Sequence, residues 1–300
     1  MIVVRFPTIP KFVFHQSKKF VVSYQQIRPG GFNVLPPVIK NLIIINGLVL
    51  LAQYTSGAWG SEKALTDFFA LHSIQSDLFK PHQFITHLFM HGDFFHFLFN
   101  MFALWMFGNM LENLWGSKRF LTFYILCGLG AAVIHLGWLF YEMQPLMSEL
   151  SSYKSSPSPS GFMSFFDQNG LTRIFDRQQL QAFADTWSND LSNQAYVDQS
   201  IVYAQQGADV MLNTPTVGAS GAVFGCLAAF GYLFPNTLIY IYFFFPIKAK
   251  WFVILYAAAE LWMGVRNSGG SVAHFAHLGG ALIGFLLVWY WNKKNRRTFY

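Results

Sequence analysis

VAHFAHLGGALIGFLLVWYW, residues 272–291, is the stretch from which the rest of the chain can be read. It contains no Asp, Glu, Lys or Arg, and it has the length of about 20 residues that a helix needs to cross a hydrocarbon core about 30 Å thick. Two histidines, His274 and His277, open it. An ionisable side chain inside a span is costly, so it marks a functional candidate whose partner has to be named.

Outward from this segment, apolar stretches of similar character run near 38–57, 86–110, 119–141, 218–235 and 250–265, giving six expected spans. The composition agrees. Of 300 residues, 53% are hydrophobic and only 11% charged, where a soluble domain has roughly 25% charged. An all-α polytopic membrane protein is expected.

Lys and Arg collect on one side of such a six-span chain. Residues 1–40 hold Arg5, Lys11, Lys18, Lys19, Arg28 and Lys40 without an acid, and Lys118, Arg119, Lys248, Lys250, Lys293, Lys294, Arg296 and Arg297 fall on the same face. The positive-inside rule then predicts both termini in the cytoplasm and a cell (inner) membrane location. The net charge of +6 is assigned to an anionic lipid bilayer and not to nucleic acid. No short apolar segment with a small-residue cleavage site precedes the first span, so a removable signal peptide is not expected. Cys127 and Cys226 lie inside apolar spans, where free thiols behave as small hydrophobes.

Three regions are expected: a basic juxtamembrane segment at 1–35, a membrane domain at 36–292 and a basic tail at 293–300. Within the membrane domain, 142–216 forms an acidic insertion outside the cytoplasm, between spans three and four. Ser151 to Gly161, rich in Ser with two Pro, reads as a flexible connector. Leu180, Phe183, Trp187 and Leu191 follow at helical spacing and predict one apolar stripe from about 176 to 206.

Span four opens with Gly218-Ala219-Ser220-Gly221-Ala222-Val223-Phe224-Gly225. A serine there has ordinary uses, such as bonding back to a carbonyl one turn earlier. Topology pairs it with His277: both spans start on the same face, and at 1.5 Å per residue the two depths differ by only about 5 Å. Gly221 and Gly225, facing Gly280 and Gly284, give the small-xxx-small spacing that lets two helix backbones approach. Span two adds His91, His96 and Asn100, the last two one helical turn apart.

Convergence of these groups at one depth admits a structural hydrogen-bond network. It also admits an oxyanion site, in which His96, Asn100 and the Ser220 N–H donate to developing negative charge. Asp93 and Glu260 are the only carboxylates near these outer halves, and burying an ionised acid is expensive. A Ser220–His277 dyad without an acid is therefore expected, with Phe224, one turn from Ser220, stacking on the imidazole.

These residues resemble the rhomboid family of intramembrane serine proteases. The likeness lies in Gly-x-Ser-Gly at 218–221, Ala-His-Leu-Gly-Gly at 276–280, the spacing of His91, His96 and Asn100, and Gly108, Glu112 and Gly116 at the far end of span two. The resemblance implies a six-helix bundle around a water-filled cavity opening to the outer face, with Ser220 as nucleophile and His277 as general base. His96 and Asn100 would be oxyanion donors, and Gly218, Gly221, Phe224 and Gly280 would support the site. Transmembrane proteins would be the substrates, and no metal or cofactor is called for. A non-catalytic client-binding relative is the alternative, and would be expected to lack the serine or the histidine.

Overall fold

The computed structural model describes residues 32–58, 60–241, 244–266 and 273–295, and all its helices belong to the unit from Asn33 to Tyr300. Most of the expected basic segment 1–35 and the end of the tail lie outside the described residues.

Among the described residues, twelve α-helices follow in order. α1 is Pro37–Ala58, α2 Glu62–Phe69, α3 Gln83–Thr86, α4 Phe94–Ala103, α5 Asn109–Trp115 and α6 Ser117–Ser155. Then come α7 Pro159–Gln168, α8 Arg177–Ser188, α9 Gln194–Leu212, α10 Ser220–Leu233, α11 Ala249–Val265 and α12 His274–Asn295. Among the described residues, four continuous stretches are long and apolar enough to cross a membrane: Pro37–Ala58, Phe94–Trp115, Ser117–Ser155 and His274–Lys293. The other two expected spans are α10, with 14 residues, and α11, with 17. Both fall short of the about 20 residues of a full span, although α11 covers the whole of the expected 250–265. At 1.5 Å per residue α10 is only about 21 Å long.

α10 and α12 form the centre of the bundle because glycine lines their contact. A Cβ built at Gly280 would lie 1.8 Å from the Gly221 carbonyl oxygen, and one at Gly284 2.5 Å from that of Gly225. Behind α10 stands α6, where Gly225 and Gly221 would meet Cys127 Sγ and Ala131 Cβ at 2.5 Å each. α10 is accordingly buried over most of its length. The outward faces of the other spans expose large apolar side chains such as Leu48, Phe99, Val133, Leu255, Trp262 and Leu282, the surface a lipid bilayer would cover.

Glu112 ties the opposite end together. Its carboxylate accepts the N–H groups of Val38 and Ile39 at 3.0 and 2.9 Å and the Ser117 hydroxyl at 2.7 Å. The first turn of α1 has no acceptors of its own for these N–H groups, so one buried side chain joins the starts of α1 and α6 to α5. Gly116, at φ +79°, makes the turn between α5 and α6. Arg119 lies over the Trp291 ring at 4.4 Å, on the face where Lys and Arg were expected. The run after α10 forms a short hairpin there, β1 Leu238–Ile241 pairing antiparallel with β2 Phe245–Lys248. Its exposed Tyr240, Phe244 and Phe245 suit the bilayer interface.

The insertion is a folded helical annex. α6 continues past the bilayer to Ser155 and α7 begins at Pro159, so the expected connector 151–161 shrinks to a few residues around Ser156. Ser158 caps α7 by accepting from the Gly161 N–H, while Ser151, Ser152 and Ser155 belong to the last turns of α6 and Ser160 to the first turn of α7. The single stripe expected over 176–206 is split between α8 and α9. Leu180 and Trp187 are buried in a core with Leu150, Tyr153, Phe162 and Phe166, whereas Leu191, in the turn, is 66% exposed.

Candidate active site

The approach to Ser220 is clamped before the helix starts. Thr216 and Leu71 exchange backbone hydrogen bonds of 2.8 and 2.9 Å, and the Gly218 N–H donates to the His87 carbonyl at 2.9 Å. Gly218 has φ +127°, a conformation that a side chain strongly disfavours. A Cβ there would also stand 2.9 Å from His96 Nε2 and 3.5 Å from Ser220 Oγ. The glycine is thus both the hinge into α10 and the floor between His96 and Ser220. Ser220 is the first residue of α10, where backbone N–H groups have no intrahelical acceptor and the dipole favours an anion.

His277 Nε2 lies 2.9 Å from Ser220 Oγ. Its other nitrogen, Nδ1, lies 3.0 Å from Glu260 Oε2. The ring stacks on Phe224, centroids 4.3 Å apart and planes at 4°, so rotation of the imidazole is blocked from its face as well as at both nitrogens.

His96 is held from below. Asp93 caps α4, its Oδ1 accepting the His96 N–H at 2.9 Å, which identifies Asp93 as a helix cap and not a catalytic acid. The Gly92 N–H donates to His96 Nδ1 at 3.3 Å, which leaves the neutral ring's proton on Nε2, the atom that faces Gly218. Asn100 is buried, and its amide gives one hydrogen to the His96 carbonyl at 2.9 Å; the amide has two. His91 packs edge-on against His96 at 5.2 Å and Phe97 at 5.4 Å.

The acid is the correction. Glu260, set aside above as too costly to bury, is 3% exposed and accepts from His277 and from His274, the latter at 2.7 Å. Two imidazole N–H groups satisfy it, which is how a buried carboxylate is tolerated. The signal was present in the sequence. An acid in the apolar run Ala249–Val265, near its outer end, is a functional candidate by default, and its two partners sit three apart on α12, on one helical face. The ligand atoms of Glu260, His274 and His277 lie within 4.8 Å of one another, a spacing a cation accepts, but here the hydrogen bonds between them use these atoms.

A cavity of about 160 Å³, lined in part by His135, Trp138, Thr216, Ala273 and His274, opens beside this cluster. The connection between α11 and α12, residues 267–272, lies outside the described residues.

A family model described as the Rhomboid domain matches residues 79–147 and 195–294, more than half of the chain. The chain belongs to the rhomboid family. The matched residues contain Ser220, His277, His96, Asn100 and Glu260, and the gap between them falls in the helical annex.

This rhomboid chain is similar to rhomboid protein 1, mitochondrial, of Saccharomyces cerevisiae, at 26% identity over 68% of this chain and 40% of that one. It is 26% identical to an uncharacterised mitochondrial rhomboid protein of Schizosaccharomyces pombe, over 97% of this chain and 72% of that one. A mitochondrial RHOMBOID-like protein 12 of Arabidopsis thaliana matches at 25% over 75% and 52%. The chain therefore spans 40% to 72% of the length of these relatives. All three names carry the word mitochondrial, which overturns the expected cell (inner) membrane with cytoplasmic termini. A count of Lys and Arg distinguishes the two faces of a bilayer; it does not say which membrane the bilayer belongs to.

Proposed function

We propose that this chain is an intramembrane serine endopeptidase that hydrolyses peptide bonds within or next to transmembrane segments of other membrane proteins. The observation that carries the reading is the 2.9 Å separation of His277 Nε2 and Ser220 Oγ, within reach for proton transfer between nucleophile and base.

In the proposed reaction Ser220 Oγ attacks the scissile carbonyl while its proton passes to His277 Nε2. The negative charge on the carbonyl oxygen is met by the Ser220 N–H, His96 Nε2–H and the free amide hydrogen of Asn100. His277 returns the proton to the leaving amine as the C–N bond breaks. Water then attacks the acyl-serine by the same route reversed. A substrate helix must unwind locally first, because helical peptide bonds are hydrogen-bonded and shielded. Membership of the rhomboid family supports this class of activity, and the relatives' names support a mitochondrial membrane as its location.

The test is cleavage of a single-span substrate by the purified chain in proteoliposomes, beside Ser220→Ala and His277→Ala. Loss of cleavage in both variants is expected. Equal rates in parent and variants would remove Ser220 and His277 from the mechanism, and an inactive parent that retains the substrate would favour a client-binding role.

A further inference from the structure

The hydrogen bonds around His277 do not stop at Ser220. We infer that Glu260, braced by His274, is a positioning residue that fixes the tautomer and orientation of His277. The inference rests on the proteolytic reading of the same site and adds to it a carboxylate supplied by α11 and shared between two imidazoles.

A neutral imidazole carries one proton, on either nitrogen. For His277 to accept the Ser220 proton at Nε2, the ring's own proton must be on Nδ1. A carboxylate 3.0 Å from Nδ1 accepts that proton's hydrogen bond and disfavours the other tautomer, in which two acceptors would face each other. As Nε2 takes the serine proton the ring becomes positively charged, and the same carboxylate lies beside the charge at its moment of formation.

His274 makes this arrangement rigid. It donates to the same oxygen, Oε2, at 2.7 Å, and so holds the carboxylate by a second hydrogen bond independent of His277. The two histidines are three residues apart on α12 and present one face to α11. The backbones come together at Gly264, one turn beyond Glu260 on α11, where a Cβ would lie 3.1 Å from His274 Cβ and 3.0 Å from the Phe275 ring. Phe275 is in turn stacked on Trp138 of α6 at 3.7 Å. The brace is therefore tied to two spans.

The purified full chain in proteoliposomes, with a single-span substrate, tests this through kcat and KM separately. Glu260→Gln is expected to lower kcat by about 10²- to 10⁴-fold, the scale lost when a triad carboxylate is replaced by an amide, with KM within twofold of the parent. Labelling of Ser220 by a fluorophosphonate should slow in step. In a His277→Ala background the same change should cost nothing more, since residues acting as one unit are not additive. A parent-like kcat in Glu260→Gln, or an equal loss in the His277→Ala background, overturns the inference. Should Glu260→Gln not be recovered folded, His274 decides: His274→Leu should lose about tenfold in kcat, and His274→Gln, which keeps an N–H to donate, should lose less. Equal rates for those two overturn the brace. Failure of the underlying reading looks different, because Ser220→Ala would then cleave like the parent whatever Glu260 does.

Discussion

Gly280 and Gly221 meet backbone to backbone, with room for nothing else: a Cβ on the first would lie 1.8 Å from the carbonyl oxygen of the second. That contact sets the spacing of α10 and α12 and hence the 2.9 Å between Ser220 and His277. Gly280→Ala must push backbone away from backbone, since no side chain is present to yield. Cleavage should fall below detection, and a loss of at least several degrees in the thermal midpoint should accompany it. Gly137→Ala, on α6 with nothing within 4 Å of the added carbon, is the control and should leave both unchanged.

Phe224 lies flat on His277. Aromatic stacking contributes about 0.5–1.5 kcal/mol beyond area, so Phe224→Leu should lower kcat by roughly 2- to 10-fold. Phe224→Tyr keeps the ring and should stay near the parent rate, which a side-by-side progress curve will show.

For the oxyanion donors the expected cost is larger. Asn100→Ala should reduce kcat by roughly 10- to 1000-fold while circular dichroism stays that of the parent. An unchanged rate would assign Asn100 to helix packing through its bond to the His96 carbonyl.

The annex 142–216 can be separated from the chemistry by its own core. Trp187 is 2% exposed, between Phe183 and the neighbouring helices, and Trp187→Ala should cost about 3–5 kcal/mol. Limited proteolysis should then nick α7 to α9 while fluorophosphonate labelling of Ser220 persists. Loss of labelling in the nicked protein would show that the annex supports the site through the Thr216 clamp.

The location can be tested directly. A fluorescent fusion of the chain in yeast should co-fractionate with mitochondrial membranes and resist extraction by carbonate. Recovery with the plasma membrane would reject the proposed mitochondrial placement.

Much of this site was legible because its chemistry is spaced by helical geometry. Ser220 and His277 were expected at one depth from span direction alone, and Phe224 lay one turn from the serine. Glu260 stands outside the expected dyad because an isolated buried acid is costly, and the fold supplies two histidines that satisfy it. The pairing of 238–241 with 245–248 is not legible in the sequence, since a run of aromatic residues has no alternation to mark a strand. The stretch Ser151 to Gly161 has the composition of a linker, yet serines are also accommodated inside α6 and at the cap of α7. Only the fourth span comes out shorter than its apolar run, for apolar character continues past the end of α10 into Phe234 and Pro235, whereas α11 covers the expected 250–265.

The brevity of α10 works as a ruler. Its last residue, Leu233, leads into the hairpin on the Lys- and Arg-rich face, and 14 residues carry the helix only about 21 Å back across a core about 30 Å thick. Ser220 would then be left about 10 Å beneath the opposite surface. Where a client is cut would then be measured from the lipid boundary, about six residues along a client helix at 1.5 Å each, so sliding a fixed sequence deeper or shallower in the bilayer should move the scissile bond along it.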